Sequence, residues 1–409
     1  MTDTLDHAYA ARLKKRYAAE KRFRFYGVAA LVLTVLFLGY LLLDIVRKGW
    51  PAFFEHRATI SVTLDPVKID ATNIAGSDFS GLVKETWRAQ FPEMSSRADR
   101  KQLNSLLSQD ASEDLKAKVI ADPSLIGKTV EATVLLSDDA DLYLKGISGD
   151  ADAETMQKVE KAVLIQSHFA WRLFTNGDSR EPELAGLRGA IVGSLFTVSI
   201  ALLLGIPLGI GAAIYLEQFA PKNRWTDVIE VNINNLAAVP SIIFGLLGLA
   251  MFLNAFGLPR SAPLVGGLVL ALLVLPTIII ASRAALRAVP PSIKEAALGV
   301  GASQQQAVFQ HVLPLAVPGI LTGAILGLAR TFGETAPLLM IGMVAFIADV
   351  PHGITDAATV LPVQIYLWSD LPELAFQSKT AAAILVLVGS LLMLNGVAIY
   401  LRKKFERRW

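Results

Sequence analysis

The chain has no cysteine among its 409 residues, which excludes disulfide bonds, thiolate metal sites and thiol catalysis. Its five histidines show no spacing typical of metal ligands, and the zinc motif H-E-x-x-H is absent. The phosphate-binding loop G-x-x-x-x-G-K-[ST] is absent too, so the chain is not expected to hold the phosphates of ATP. We therefore predict no catalytic residue, no cofactor and no metal site.

A strong excess of charge of one sign is also missing. The formal net charge is +2, and the basic residues cluster at the edges of apolar segments instead of forming one face. Proteins that bind nucleic acids normally carry such a basic face. We therefore expect no nucleic-acid partner.

Long apolar runs are what the sequence has in abundance. Hydrophobic residues make up 53% of the chain and the mean hydropathy is +0.48, which is too apolar for a soluble protein. A hydrocarbon core of roughly 30 Å needs about 20 apolar residues in a helix. The first run is too long for a signal peptide and no cleavage site follows it, so we expect it to be retained. Six runs predict spans in contact with membrane lipid: 26–46, 191–216, 228–256, 264–288, 315–346 and 381–401.

Basic residues predict the orientation of these spans. Lysines and arginines are concentrated before the first span and after the last, which places both termini in the cytoplasm of an inner-membrane protein. The predicted segments are a cytoplasmic basic N-terminus (1–25), a first transmembrane helix (26–46), an extracytoplasmic soluble insert (47–186), a core with five further spans (187–402) that contains a cytoplasmic loop (291–314), and a cytoplasmic basic tail (403–409).

The 47–186 insert has the composition of an ordinary soluble domain. Residues 58–70 alternate apolar and polar side chains and 128–137 is strand-like, whereas 97–118 and 153–165 have helical spacing. The fold class predicted for the whole chain is an all-α polytopic membrane protein of six helices with an inserted extracytoplasmic α+β domain. The role of the insert stays open between a spacer and a subunit contact.

The polar loop 291–314 lies between two apolar segments and carries signals for two short helices. Ser292 followed by Glu295, and Ser303 followed by Gln306, have the spacing of capping boxes. The pattern predicts a helix–turn–helix unit on the cytoplasmic side. One interpretation is a docking loop, and the alternative is a capped connector in which Glu295 serves only its own helix.

A glycine separates the two predicted helices of the loop. Gly301 can adopt the left-handed conformation that ends a helix, and the small side chains of Ala296 and Ala297 suit a helix lying in another protein's groove. The spacing of Glu295, Ala296, Ala297 and Gly301 resembles the EAA motif that permeases of ABC importers present to their ATPase subunits. This resemblance implies that the four residues contact a separate ATPase.

Two charged residues, Arg330 and Glu334, lie within the apolar run 315–346. An arginine at the bilayer centre costs at least about 2.5–3.5 kcal/mol, so it normally faces a polar pathway or a partner. A continuous helix over this run would be roughly 48 Å long, longer than the hydrocarbon core is thick. Gly333 and Pro337 predict a break, because proline removes a backbone donor and clashes with the preceding turn.

A broken helix in the membrane predicts an anion site. Its backbone amides are free to bind an anion, and the planar guanidinium of Arg330 suits a tetrahedral oxyanion. The alternative is that Arg330 and Glu334 simply pair, although arginine preceding glutamate is the poorer orientation on a helix. Asn235 either adds a polar group to the pathway or hydrogen-bonds a neighbouring helix.

Three stretches resemble one permease family: ARTFGETAPLL at 329–339, NLAAVPSIIFGLLGL at 235–249 and IALLLGIPLGIGAAIYLEQFAP at 200–221. They resemble PstA proteins, permease subunits of the phosphate-specific ABC importer, over roughly 187–409. The resemblance implies the transmembrane fold of type I ABC importers and pathway positions that include Thr335 beside the charged pair. It does not extend to the insert.

The same resemblance implies the partners. They are the sister permease PstC, two copies of the cytoplasmic ATPase PstB, and the extracytoplasmic phosphate-binding protein PstS. The sequence therefore predicts a permease subunit without enzymatic activity that imports inorganic phosphate, with ATP hydrolysis supplied by a partner. A permease for another oxyanion, sulfate or molybdate, is the closest alternative. A membrane-anchored sensor is the alternative from another class, and the docking loop argues against it.

Overall fold

The computed structural model describes residues 2–70, 73–147 and 151–405. Three regions follow one another along the chain: an N-terminal helix, a mixed unit of helices and strands, and a helical core. Residues 406–409 of the predicted basic tail lie outside this set.

The N-terminal helix α1 runs from Thr2 to Gly49. None of its most apolar stretch is buried within the chain, as expected for a helix that meets lipid or another subunit. Its end packs against the last helix of the chain, where a Cβ on Gly49 would lie only 2.8 Å from the backbone of Ala381 and Ala382. Glycine is therefore required for this close contact.

The mixed unit contains a three-stranded antiparallel sheet in the order β2-β1-β3. Ala58 at its centre pairs with Val134 on one side and Ile165 on the other. Short 3₁₀ turns occupy Trp50–Phe53, Ile74–Gly76 and Pro123–Leu125. The strands are β1 Phe54–Thr63, β2 Thr129–Leu135 and β3 Leu164–Phe169, and the helices are α2 Phe79–Ala89, α3 Arg97–Ser105, α4 Glu113–Ala121, α5 Asp138–Leu144, α6 Ala153–Ala162 and α7 Arg172–Thr175.

Alternation along β1 explains how this unit folds. Ala58, Ile60 and Val62 are buried together under the helices, and Trp87 of α2 is fully buried beside them. The indole nitrogen of Trp87 donates to the carbonyl of Leu103 at 2.8 Å, so its polar atom is satisfied in the core. Local burial of this kind requires no contact with the membrane helices.

Three local predictions for this unit are wrong in their bounds. The first strand ends at Thr63 instead of continuing to residue 70, because the chain turns where the Asp65 side chain accepts a bond from the amide of Val67 (2.9 Å). The stretch 97–118 forms two helices, α3 and α4. The stretch 153–165 ends its helix at Ala162 and continues as β3, whose β-sheet pairing overrides the helical spacing.

The helical core begins at Arg188. Its π-helical turns are Tyr215–Phe219, Leu249–Ala255 and Ala307–Val312. The helices are α8 Arg188–Ile214, α9 Arg224–Ala237, α10 Ser241–Gly248, α11 Pro263–Arg287, α12 Pro291–Gly299, α13 Gln304–Gln306, α14 Leu313–Gly333, α15 Ala336–Met340, α16 Leu361–Ser369 and α17 Leu374–Phe405.

Within the described residues, five helices are long and apolar enough to cross a membrane, or up to six if one bent pair counts as a single span. The bent pair is α9 with α10 and its π-helical extension, which meet at an angle of 101°. The span predicted over 228–256 is therefore not one straight helix, and it counts as a span only if the bent pair crosses the membrane as a unit. The chain turns at Pro240, which cannot donate an amide bond and precedes α10 with an extended backbone.

The helix α11 lies at the centre of the core. It packs against α8 on one side and α14 on the other, and most of its apolar stretch is buried within the chain. Side chains such as Val269, Val274 and Ile278 are inaccessible to solvent. The central position of α11 brings it next to Arg330, the charged residue of α14.

Candidate functional site

The charged residues of the apolar run 315–346 lie at a break between two helices. Gly333 is the last residue of α14, and Glu334 has an extended backbone with φ −75° and ψ 128°. The short helix α15 then begins, with Pro337 as its second residue and Thr335 immediately before it. The membrane segment is thus interrupted beside Arg330.

Arg330 and Glu334 are brought together at this break. The Nε of Arg330 lies 3.5 Å from Oε1 of Glu334, and its Nη1 donates to the hydroxyl of Thr277 at 3.4 Å. Both contacts are long for charge-assisted bonds, which are usually about 2.7–2.9 Å. The Arg330 side chain retains 37% of its exposure, so its guanidinium has hydrogen-bonding capacity left over.

Arg330 and Glu334 do not lie on one helix, although the comparison of charge order in the sequence assumed that they do. Because α14 ends at Gly333, Glu334 is not part of the same helix as Arg330. The preferred order of charges on a helix therefore does not apply to this pair. Arg330 has hydrogen-bond donors left over because its contact with Glu334 is long, and not because of the order of the two residues in the sequence.

Two of the backbone amides just beyond the break are occupied. The amides of Leu338 and Leu339 both donate to the carbonyl of Thr335, at 3.0 and 3.1 Å. The helix α15 has only five residues, so its dipole is small. The Arg330 guanidinium, rather than the N-terminus of α15, is therefore the group of this region with the most hydrogen-bonding capacity left over.

Asn235 is placed apart from the charged pair. It lies near the end of α9, on an exposed surface, and among the described residues its side chain makes no hydrogen bond to Arg330 or Glu334. Its neighbour Asn232 donates to the carbonyl of Val228 on its own helix at 2.7 Å. Thr277, by contrast, contacts Arg330 and was missed from the sequence. A hydroxyl after Pro276 in an apolar helix was the only signal.

The loop 291–314 forms two helices, but the first is not capped as predicted. The helix α12 starts directly after Pro290, with Pro291 at its first position, and no side-chain cap is formed. Ser292 is therefore already inside the helix, and its capping box with Glu295 is wrong. A proline at the first position suits the helical φ and needs no amide partner, which explains the earlier start.

The second capping box of the loop is confirmed. The Ser303 hydroxyl accepts from the amide of Gln306 at 3.2 Å, while the Gln306 side chain accepts from the amide of Ser303 at 2.9 Å. On α12, Glu295 and Ala296 are exposed, and Ala297 is buried against the rest of the loop. Around the exposed Glu295 and Ala296, the surface of α12 has few protruding side chains and is accessible to another protein.

Gly301 has a left-handed backbone with φ +92°. Its amide donates to the carbonyl of Leu298 at 3.0 Å, and the amide of Ala302 donates to the carbonyl of Ala297 at 3.1 Å. These two bonds form a Schellman motif, which satisfies the last carbonyls of α12. The turn fixes the angle between the two loop helices.

Residues 205–409 match the family described as binding-protein-dependent transport system inner membrane component. The chain belongs to this family. Residues 10–154 of the permease match a domain of unknown function, DUF3333, which covers most of α1 and much of the mixed unit.

Relatives of the permease include PstA proteins, which confirms the resemblance seen in the sequence. "Phosphate transport system permease protein PstA 1" of Mycobacterium tuberculosis (strain CDC 1551 / Oshkosh) is 33% identical over 240 residues, 58% of this chain and 77% of that protein. "Probable ABC transporter permease protein YqgI" of Bacillus subtilis (strain 168) is 37% identical over 174 residues. That match spans 42% of this chain and only 58% of YqgI.

Solved structures similar to the permease include an inward-facing form of the MetNI methionine ABC transporter. It is 17% identical, with a TM-score of 0.41, over 53% of this chain and 94% of that chain. The crystal structure of a bacterial ABC transporter involved in import of the acidic polysaccharide alginate is 18% identical with the same TM-score.

Proposed function

We propose that this chain is the permease subunit of an ATP-driven importer of inorganic phosphate. The observation that carries the proposal is Arg330, which lies at a helix break in an apolar segment and makes two long side-chain contacts within the described residues. A partly exposed arginine in an apolar membrane segment that is not fully paired requires either a polar pathway or a ligand. An anion in transit meets this requirement, and the kinship with PstA proteins supports phosphate as that anion.

Transport requires an energy source outside this chain. The sequence has no phosphate-binding loop for ATP, so a separate cytoplasmic ATPase, two copies of PstB, hydrolyses ATP. The exposed surface of α12 at Glu295 and Ala296 docks to it, and the turn at Gly301 sets the angle of that surface. The sister permease PstC completes the pathway.

The orientation follows from the basic residues at both ends of the chain. The two termini and the loop 291–314 face the cytoplasm, and the mixed unit within 47–186 lies on the opposite side of the inner membrane. PstS delivers phosphate on that side. The mixed unit has its own apolar core, as a domain surrounded by water requires.

Reconstitution tests the proposal directly. Proteoliposomes that contain this chain, PstC, PstB and PstS should accumulate labelled phosphate only when ATP is supplied to PstB. Excess unlabelled phosphate should compete, whereas sulfate and molybdate should not. ATP-driven uptake of sulfate or molybdate in preference to phosphate would instead establish the other-oxyanion permease.

A further inference from the structure

The π-helical end of α8 carries a carboxylate that joins two basic residues of α11. Oε2 of Glu217 accepts from Nε of Arg287 at 2.8 Å and from Nε of Arg283 at 3.3 Å. The other end of the Arg283 guanidinium bonds to Glu230 of α9. The Arg283 and Glu217 side chains are 10% and 17% exposed, whereas Arg287 at the edge of the network is 58% exposed. The buried part of the network connects the end of α8 with α9 and α11.

The next residue, Gln218, bonds to both helices of the loop 291–314. Its side-chain oxygen accepts from Nζ of Lys294 on α12 at 2.9 Å. Its backbone carbonyl accepts from Nε2 of Gln304 on α13 at 2.7 Å. A single residue at the end of a membrane helix therefore connects to each half of the loop that docks to the ATPase.

An apolar cluster supports these polar contacts. Ile214 and Leu216 of the α8 end are buried against Leu286 of α11 and against Val308 and Val312 of the loop. Two of the segments that meet in this cluster are π-helical turns, Tyr215–Phe219 and Ala307–Val312, and such turns are rare and frequently lie at functional sites. The loop and the end of α8 are thus one packed unit.

The helix α11 leads from this unit to the charged site. Arg283 lies six residues after Thr277, a separation of about 9 Å along a helix. Thr277 accepts a hydrogen bond from Arg330 at 3.4 Å. A displacement of the loop that moves Glu217 and Gln218 therefore moves α11, and with it a direct contact of Arg330.

We propose that Gln218 and Glu217 are positioning residues that transmit the movement of the docked loop to α11 and so to the Arg330 site. This inference rests on the proposed function, because it assigns the mechanical connection within that function. Gln218 transmits through its bonds to Lys294 and Gln304, and Glu217 transmits through its bonds to the two arginines. Loss of the Gln218 connection should uncouple ATP hydrolysis from transport without dismantling the complex.

Gln218 is the residue to change, because replacing Glu217 would leave Arg283 buried with one partner fewer and destabilise the core. Gln218→Leu removes the side-chain acceptor, whereas Gln218→Glu keeps an acceptor for Lys294. Lys294→Met removes the donor without altering α8. Gln102→Leu, at an exposed glutamine of α3, controls for the change of residue type.

The measurement is the number of phosphate ions imported per ATP hydrolysed by the reconstituted complex. Gln218→Leu and Lys294→Met should each lower this ratio about fivefold, the size expected for loss of one hydrogen bond. The double variant should be no worse than either single one, because both remove the same bond. Gln218→Glu and Gln102→Leu should keep the ratio of the unaltered complex.

The outcomes separate this inference from the proposed function. Absence of ATP-driven phosphate uptake by the unaltered complex contradicts the proposed function. Normal uptake with an unchanged ratio in Lys294→Met contradicts the positioning role alone, whether or not Gln218→Leu assembles. If the Gln218→Leu complex assembles and the Gln218→Glu complex imports as few phosphate ions per ATP as it does, that result also contradicts the positioning role.

Discussion

The amide of Ala302 donates to the carbonyl of Ala297 across the turn at Gly301, with a distance of 3.1 Å. This bond closes the end of α12 and turns the chain toward α13. It exists only because Gly301 adopts a positive φ, which residues with a Cβ rarely adopt. The position of the exposed face of α12, which we propose docks to the ATPase, therefore depends on one backbone conformation.

Gly301→Val should lower ATPase binding and phosphate uptake severalfold. A left-handed backbone costs an L-residue at least about 1–2 kcal/mol, and a β-branched side chain adds to that cost. The matched control is Gly299→Val, because a Cβ there meets no atom within 4 Å and Gly299 has no positive φ. Co-purification of the ATPase and uptake measure both variants. Normal assembly and uptake in Gly301→Val would show that the turn does not position the docking surface.

Single cysteines should report the orientation of the chain, which has none of its own. Ser95 is exposed in the mixed unit, and Ser292 is exposed on α12. In intact spheroplasts without the ATPase, a membrane-impermeant maleimide should label Ser95→Cys, and should label Ser292→Cys only after the membrane is permeabilised. The reverse pattern would overturn the proposed orientation and the assignment of the loop to the ATPase.

Glu183 should make the stability of the chain depend on pH. It lines a cavity of about 40 Å³ with Asp138 and Lys379, and among the described residues its Oε2 has no hydrogen-bond partner. Burial raises the pKa of Glu183, and the nearby Asp138 raises it further. A raised pKa favours the protonated folded state, so this stabilisation is present below the unfolded pKa and is lost as pH rises through the folded pKa.

Glu183→Gln should therefore raise the melting temperature at pH 8 by about 3 °C and leave it unchanged at acidic pH. Burial also raises the pKa of Asp138, so part of the pH dependence should remain. Glu160→Gln, at an exposed position of α6, is the control. Thermal unfolding in detergent measures all three proteins. Equal melting temperatures of Glu183→Gln and the unaltered chain at pH 8 would contradict the desolvation of Glu183.

The membrane helices could be predicted from the sequence because their signal is local. An apolar run that crosses the lipid must satisfy its backbone N–H and C=O groups by forming a helix, whatever its neighbours are. The bend between α9 and α10 is different, because Pro240 indicates an interruption but not its angle of 101°. Likewise, Ser292 had the spacing of a cap, and the preceding prolines started the helix earlier.

The site could be predicted only in part. Arg330 and Glu334 stand out because charges are rare in apolar runs. Thr277 and Gln218 do not, since a threonine or glutamine near a membrane helix is common, and their roles arise from contacts with residues 53 to 86 positions away. Contacts at such separations depend on the packing of α8, α11 and α14, which a single sequence does not specify.

Arg330 either meets the transported anion or forms a purely structural ion pair with Glu334. The two alternatives predict different effects of the same substitutions. If Arg330 meets the anion, Arg330→Lys keeps the charge but loses the planar pair of donors, so uptake should fall about tenfold or more with the complex still assembled. Arg330→Ala should be worse. If the pair is only structural, Arg330→Ala leaves Glu334 unpaired and mainly destabilises the protein.

Uptake of phosphate by the double variant Arg330→Ala with Glu334→Ala tests the central claim most directly. The measurement is ATP-driven accumulation of labelled phosphate in proteoliposomes that contain the assembled four-component complex. If Arg330 lies on the phosphate pathway, the double variant should assemble and still fail to transport. Recovery of phosphate uptake in the double variant would contradict the claim. It would show that Arg330 and Glu334 only neutralise each other's charge and that neither is needed for transport.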